Sequence, residues 1–177
     1  MIHILTLTEN DFITFQLYDA STNAEKIKAR RKSYFLLIAI GLVFIFTGYF
    51  QHNTFLFYYA IFCVAVVTFF YYRYLKSKLK RHYTKYVKNT YNGAFNESFQ
   101  LEITDDLLKT EDKIGESNVK LSEIISITEI PSHFFIKMST GPSLIVAKSS
   151  SPLNQEIATL IERKGIPYVN QLNWKWN

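Results

Sequence analysis

The stretch "GYFQHNTFLF", Gly48 to Phe57, decides the fold. Gln51, His52 and Asn53 sit between two long apolar runs, "YFLLIAIGLVFIFTGYF" (34–50) and "TFLFYYAIFCVAVVTFFYY" (54–72), and neither run contains a charge. A bilayer core of ~30 Å needs roughly 20 helical residues at about 1.5 Å each, with ~17 tolerated. The two runs therefore predict a pair of transmembrane helices. Helices buried in a soluble core turn some polar residues toward solvent, and these do not. A cleavable signal peptide fits poorly, because the first run starts late, lacks a small-residue cleavage site and leads directly into the second. The polar triplet is then the one part of the hairpin that reaches water on the far side, and antiparallel helices need only a short link.

Charge sets the orientation. The chain has 177 residues, with 20 Lys and Arg against 15 Asp and Glu. Between Glu25 and Glu97 there is no acidic residue, and this window holds 12 of the 20 basic ones. The remainder carries 8 basic and 15 acidic residues and is acidic, which argues against nucleic-acid binding. The basic residues flank the apolar runs: Lys26, Lys28, Arg30, Arg31 and Lys32 before the first, and Arg73, Lys76, Lys78, Lys80, Arg81, Lys85 and Lys88 after the second. The link has no Lys or Arg. The positive-inside rule then predicts a two-span inner (plasma) membrane protein with both termini cytoplasmic. Tyr34, Tyr49, Tyr71, Tyr72 and Tyr74 fit interfacial belts. The basic collar, Lys26 to Lys32 and Arg73 to Arg81, meets the anionic inner leaflet. Beyond the second run Leu75, Leu79, Tyr83 and Tyr86 form a helical stripe. Two readings of this extension stay open: a topology signal packing on the protein's own domain, or an anionic-lipid site worth ~1 kcal/mol per basic residue.

Outside the hairpin the pattern is mixed. Residues 2 to 7 read as a strand in which Ile2, Ile4 and Thr6 alternate with His3, Leu5 and Leu7. Thr8 then caps a helix carrying Phe12 and Phe15, and Thr22 with Glu25 forms a capping-box pattern for the next. From Phe95, short alternating segments separated by turn signals at Asp105-Asp106, Ile114-Gly115, Pro131-Ser132 and Gly141-Pro142 predict an antiparallel meander. "SPLNQEIATLIERKG" predicts a closing helix that buries Leu153, Ile157, Leu160 and Ile161 and ends at Gly165. The expected core adds Phe99, Leu101, Ile103, Ile124, Ile127, Phe135 and Ile145. The fold class is thus an α+β membrane protein: a two-helix hairpin plus a small antiparallel β half-barrel capped by a C-terminal helix. Three parts are expected: 1–22, a strand and helix packing on the cytoplasmic domain; 23–92, the hairpin with its basic extensions; and 93–177, the β domain. Residues 2 to 7 are expected to add an edge strand to this sheet, since Ile2, Ile4, Phe12 and Phe15 would otherwise stay exposed.

"TENDFITFQLY", the two-span hairpin and "FQLEITDDLLKTEDKIGESNVKLSEIISITEIPSHFFIKMS" together resemble the YcxB-like membrane protein family. The resemblance runs over nearly the whole chain. It is most specific in "IGESNVKLSEIISITE", through Gly115, Val119, Leu121, Glu123, Ile124 and Glu129. It implies a pleckstrin-homology-like C-terminal domain and no established activity. Leu121 stands where the family carries Trp, and Ala147, Lys148 and Ser149 stand where it has a Pro-Lys-Arg-like ending.

Chemistry-bearing motifs are absent from the sequence. His3, His52, His82 and His133 are scattered, and the single cysteine, Cys63, lies in the second apolar run, so no metal-ligand spacing exists. Ser149, Ser150 and Ser151 read as a helix entry, and Asp105-Asp106 as a solvated turn. No catalytic, cofactor or metal residue is expected. The leading expectation is a non-enzymatic membrane-anchored interaction or scaffold module that binds a protein segment along a strand edge. No phosphoinositide site is implied, because the domain is acidic. The alternative is a subunit of an oligomeric channel or transporter, for which only Thr47, Thr68, Gly41 and Gly48 offer a polar or small face in the spans.

Overall fold

The computed structural model describes residues 1–139, 141, 143–148 and 151–176. The turn residue Pro142 and the helix-entry residues Ser149 and Ser150 lie outside the described residues. In chain order the elements are β1 (Ile2–Thr6), α1 (Glu9–Thr22), α2 (Ala24–Phe50), α3 (Thr54–Tyr91), β2 (Ser98–Ile103), β3 (Leu107–Glu111), β4 (Glu116–Lys120), β5 (Ile124–Glu129), β6 (His133–Met138), β7 (Ser143–Ala147), α4 (Ser151–Lys164) and β8 (Tyr168–Asn170). The chain is α+β, with two long apolar helices, a four-stranded antiparallel sheet, a second sheet and a C-terminal helix.

Two compact units result: Met1–Phe15 with Tyr86–Trp176, and Gln16–Lys85. The division falls inside α1 and α3. The physical reason is aromatic. Phe12 stacks on Tyr91 at 4.8 Å and lies 5.8 Å from Phe95, while Phe15 meets Phe135 edge-on at 5.2 Å. The first turns of α1 and the last turn of α3 thereby belong with the sheets.

In the helical unit, α2 and α3 are long and apolar enough to cross a membrane. Asn23, not Thr22, caps α2: its side-chain oxygen accepts from the amides of Glu25 and Lys26. Thr22 is the last residue of α1, and its hydroxyl donates back to the Tyr18 carbonyl, so it is not free to cap. In the link, Asn53 Oδ1 accepts from Leu56 N and starts α3 at once. The two helices pack closely at two glycines. A Cβ on Gly48 would stand 2.7 Å from the Phe57 amide nitrogen, and one on Gly41 would stand 2.3 Å from a Val64 methyl. The hydroxyls of Thr47 and Thr68 donate to carbonyls of their own helices, at Val43 and Val64.

The other unit holds two four-stranded sheets, ordered β1-β2-β3-β4 and β7-β6-β5-β8. The segment read as one strand, "SNVKLSEIISITEI", is broken by a 3₁₀ turn at Leu121–Glu123 that carries the chain from the first sheet into the second. Leu121 is buried in that turn. β8, unforeseen in the sequence, runs parallel to β5, so the second sheet is not a pure meander. β1 is an edge strand paired antiparallel with β2, from Ile2 opposite Glu102 to Thr6 opposite Ser98. Its inward face is the reverse of the expected one. Ile2 is 59% exposed and Ile4 71%, whereas His3, Leu5 and Leu7 are buried. The register fixes this: His3 and Leu5 lie opposite Leu101 and Phe99, which face the core, and a period of two sends Ile2 and Ile4 the other way.

The core gathers Leu5, Leu101, Leu108, Ile127, Ile136 and Val146 against Leu153, Ile157 and Leu160 of α4. Of the expected core residues, Phe99 and Ile161 are only partly buried. Gly165, at φ +61°, ends α4 in the left-handed conformation.

Two predictions follow from this packing. Leu5→Ala should cost about 2–5 kcal/mol in unfolding free energy, while Ile4→Thr should change it by less than ~0.5 kcal/mol; equal effects in chemical denaturation would refute the assigned face. Gly48→Val should lower the melting temperature in detergent, at a cost of about 1–3 kcal/mol, because backbone must move. Gly93→Ala, where nothing lies within 4 Å of the added atom, should leave it unchanged.

Candidate functional site

Three features of the sheet-bearing unit bring polar side chains together. The first is a pair of histidine–carboxylate contacts that bind the N-terminal segment. His3 Nε2 donates to Glu156 Oε2 of α4 at 2.6 Å. His133, 3% exposed, donates from Nε2 to Asp11 Oδ1 of α1 at 2.9 Å, and with that tautomer its Nδ1 accepts from Ser132 Oγ at 2.7 Å. Asp11 Oδ2 also accepts from the amide and hydroxyl of Thr8, so one carboxylate caps α1 and fastens it to β6. The order carboxylate–imidazole–hydroxyl is that of a hydrolase triad. Here Ser132 and His133 are neighbours in one tight turn, and the unit's cavities at the sheet mouth and beside α4 are lined by other residues. The arrangement fastens the helix.

The second is Glu129, Lys148 and Tyr168. Lys148 Nζ donates to Glu129 Oε1 at 2.6 Å and lies 4.9 Å from the Phe134 ring centre, and the Tyr168 hydroxyl donates to Glu129 Oε2. Burial alone would raise the Glu129 pKa, but the hydrogen bonds from Lys148 and Tyr168 and the lysine charge outweigh it and hold the carboxyl below its ordinary value. Tyr168 is pushed up to about 12, first by its bond to Glu129 and then by burial. This cluster pins β8 to the sheet.

The third is a groove of about 420 Å³ at the mouth of the first sheet. Its origin lies in side-chain size. On the inner face, Leu108 and Val119 stand opposite each other and fill the space; one step toward the mouth the opposed pair is Thr110 and Ser117. The smaller residues leave a hollow whose apolar floor is Leu7, Phe12, Phe99 and Leu144. Its rim is charged: Glu97, Asp112, Lys113 and Glu116. Asp112 Oδ1 accepts from the amides of Ile114 and Gly115 and shapes the β3–β4 turn. Lys113 pairs with Glu97 at 2.6 Å. Ile114, at the tip of that turn, is 86% exposed. The groove lies within the size range of ligand pockets, ~300–1,000 Å³. The signal that marks it in the sequence is the pair of small polar residues at inward positions of β3 and β4.

The helical unit brings the two basic clusters together. Lys26 Nζ sits 5.4 Å from the Tyr83 ring centre, and the Tyr71 hydroxyl donates to the Arg30 carbonyl. Lys26 also pairs with Asp19 at 2.5 Å. Lys28, Arg31, Lys32, Arg73, Lys78, Lys80 and Arg81 are exposed, while Arg30 and Lys76 are half-buried. On the α3 extension Leu75, Leu79 and Tyr83 are half-buried, but the stripe continues through the fully buried Val87, with Tyr86 exposed. His3 and His133 are buried, and among the described residues no group of three or more His, Cys, Asp or Glu could hold a metal.

The Glu129 cluster predicts opposite pH responses for its two acids. A lowered carboxyl contributes stability that is full above its ordinary value near 4.5 and is lost as pH falls through the lowered one. A raised phenol contributes stability that is full below about 10 and is lost as pH rises through about 12. Glu129→Gln should therefore flatten the fall in melting temperature from about pH 6 to about pH 3, and Tyr168→Phe should remove the most alkaline phenolate transition seen by ultraviolet titration.

No family model matches this chain, and neither a curated protein nor a solved structure does.

Proposed function

We propose that this is a two-span inner-membrane protein, YcxB-like, whose hairpin anchors a non-enzymatic interaction module at the cytoplasmic surface. One observation carries the reading: the strand before the hairpin, β1, and the strand after it, β2, share one antiparallel ladder. Both ends of the hairpin must then lie on the same side of any membrane, which requires an even number of crossings. Two helices of sufficient length and hydropathy supply them. The basic flanks and the uncharged link at Gln51–His52–Asn53 support a cytoplasmic location for that side.

The arrangement of strands supports the pleckstrin-homology-like reading. Counting β1, four antiparallel strands form one sheet, three more antiparallel strands form the second, and a helix closes the domain. The buried Leu121 between the sheets fits a packing role at the position where the family carries Trp. The groove at the mouth, and not an anionic-lipid pocket, is the feature suited to recognition, since its rim has more carboxylates than cations. The basic collar of the helical unit suits the anionic leaflet. A pore finds less support, because the span hydroxyls of Thr47 and Thr68 are engaged by their own helices.

Cysteine labelling tests the topology in a Cys63→Ala background. Asn53→Cys should react with a membrane-impermeant maleimide in intact cells, and Ile114→Cys only after permeabilisation. The opposite pattern, or reaction of both from outside, would overturn the proposal.

A further inference from the structure

We propose that the groove at the sheet mouth docks an extended peptide in which a large apolar side chain is flanked by lysine or arginine. This rests on the reading of the domain as an interaction module and names its partner's chemistry.

Three observations converge on the β3–β4 hairpin. The first is the cavity itself. At about 420 Å³, with Leu7, Phe12, Phe99 and Leu144 as its floor, it has room for one or two large apolar side chains. The second is charge. Glu111 and Glu116 are directly opposed across the two strands, both are exposed, and neither has an ion-pair partner among the described residues. Like charges in that position destabilise a hairpin. One row away on the same outer face, Glu102 stands opposite Lys109 and pairs with it. The unmatched carboxylates give this edge of the sheet a negative potential that suits a cationic partner. Asp112 adds to them, and its neighbour in the chain, Lys113, is held by Glu97. An acidic rim of this kind repels an anionic membrane and attracts a basic peptide. The third is the strand edge. Among the described residues β4 ends its sheet and pairs only with β3, so its outer backbone groups can accept an added strand. Glu116 and Ser117 of β4 line the groove, which places apolar anchoring and backbone pairing on the same few residues. Ile114 extends the apolar contact at the turn.

The test uses the full chain in nanodiscs of neutral phosphatidylcholine, with empty nanodiscs as background. Three fluorescein-labelled peptides are compared by anisotropy: alternating Phe and Lys, alternating Phe and Glu, and alternating Ser and Lys. The Phe–Lys peptide should bind at least about ten-fold more tightly than the others, and salt should weaken it. Glu116→Lys should weaken it by about ten-fold without lowering the melting temperature, since it also relieves the repulsion from Glu111. Ser117→Phe, which plugs the mouth, should abolish binding. Equal or tighter binding of the Phe–Glu peptide, or indifference to Glu116→Lys, overturns the charge rule while leaving an interaction groove. Absence of binding by all three peptides overturns the groove as a peptide site, while the anchored reading stands or falls separately on the cysteine labelling.

Discussion

The antiparallel ladder between β1 and β2 is the constraint on which the rest depends. It joins residues 2–6 to residues 98–102, across the whole of the helical hairpin. Closing a flexible loop of that length would cost roughly 4 kcal/mol beyond a constant term. Here most of the loop is not flexible. α2 and α3 are continuous helices, joined by three residues and held together where Gly41 and Gly48 let the backbones approach. The hairpin is a helical insertion between two neighbouring strands of one sheet, and the flanking segments can pair at a lower entropic cost than their separation in sequence suggests. The same ladder gives the first fifteen residues a place to fold, since they are too few to form a core alone.

Register then propagates. Once Leu5 stands opposite Phe99, His3 is turned inward, where its ring finds Glu156 of α4. A buried imidazole without a partner would be costly, so the contact both follows from the register and secures it. Asp11 does comparable double service: one oxygen completes the cap of α1 and the other holds His133 of β6. The N-terminal segment is thus fixed by a backbone ladder, two imidazole–carboxylate bonds and the Phe12 and Phe15 ring contacts.

What the sequence disclosed and what it hid follow from the range of each signal. The hairpin was legible because a charge-free run of adequate length and an acid-free basic collar are local properties. The alternation in β2 and the apolar side of α4 were legible for the same reason. The face of β1 was not, because "IHILTL" is apolar on both sides and only its partner strand decides which side is buried. β8 left no pattern at all: its three residues are exposed and are held by parallel backbone pairing to β5. His133 and Asp11 are 122 positions apart, so no spacing rule links them. The groove was half legible. Thr110 and Ser117 are visible as small polar residues in a strand pattern, but their opposition across the hairpin is a fact of register.

That opposition matters for how the domain's stability is distributed. Several charges elsewhere are matched: Glu129 with Lys148, Asp105 with Arg163, Glu102 with Lys109. Apolar side chains in the same unit mostly fill the core. The β3–β4 hairpin departs from each rule at once, with two carboxylates face to face, two small polar residues where the inner face should be filled, and an isoleucine at the tip of a turn. Each departure costs the isolated fold some stability, and none is compensated within the hairpin. Departures of this sort scattered over a surface would carry no message. Concentrated in one hairpin beside the groove at the sheet mouth, they are what a site looks like when its own stability has been traded for contacts made with something else.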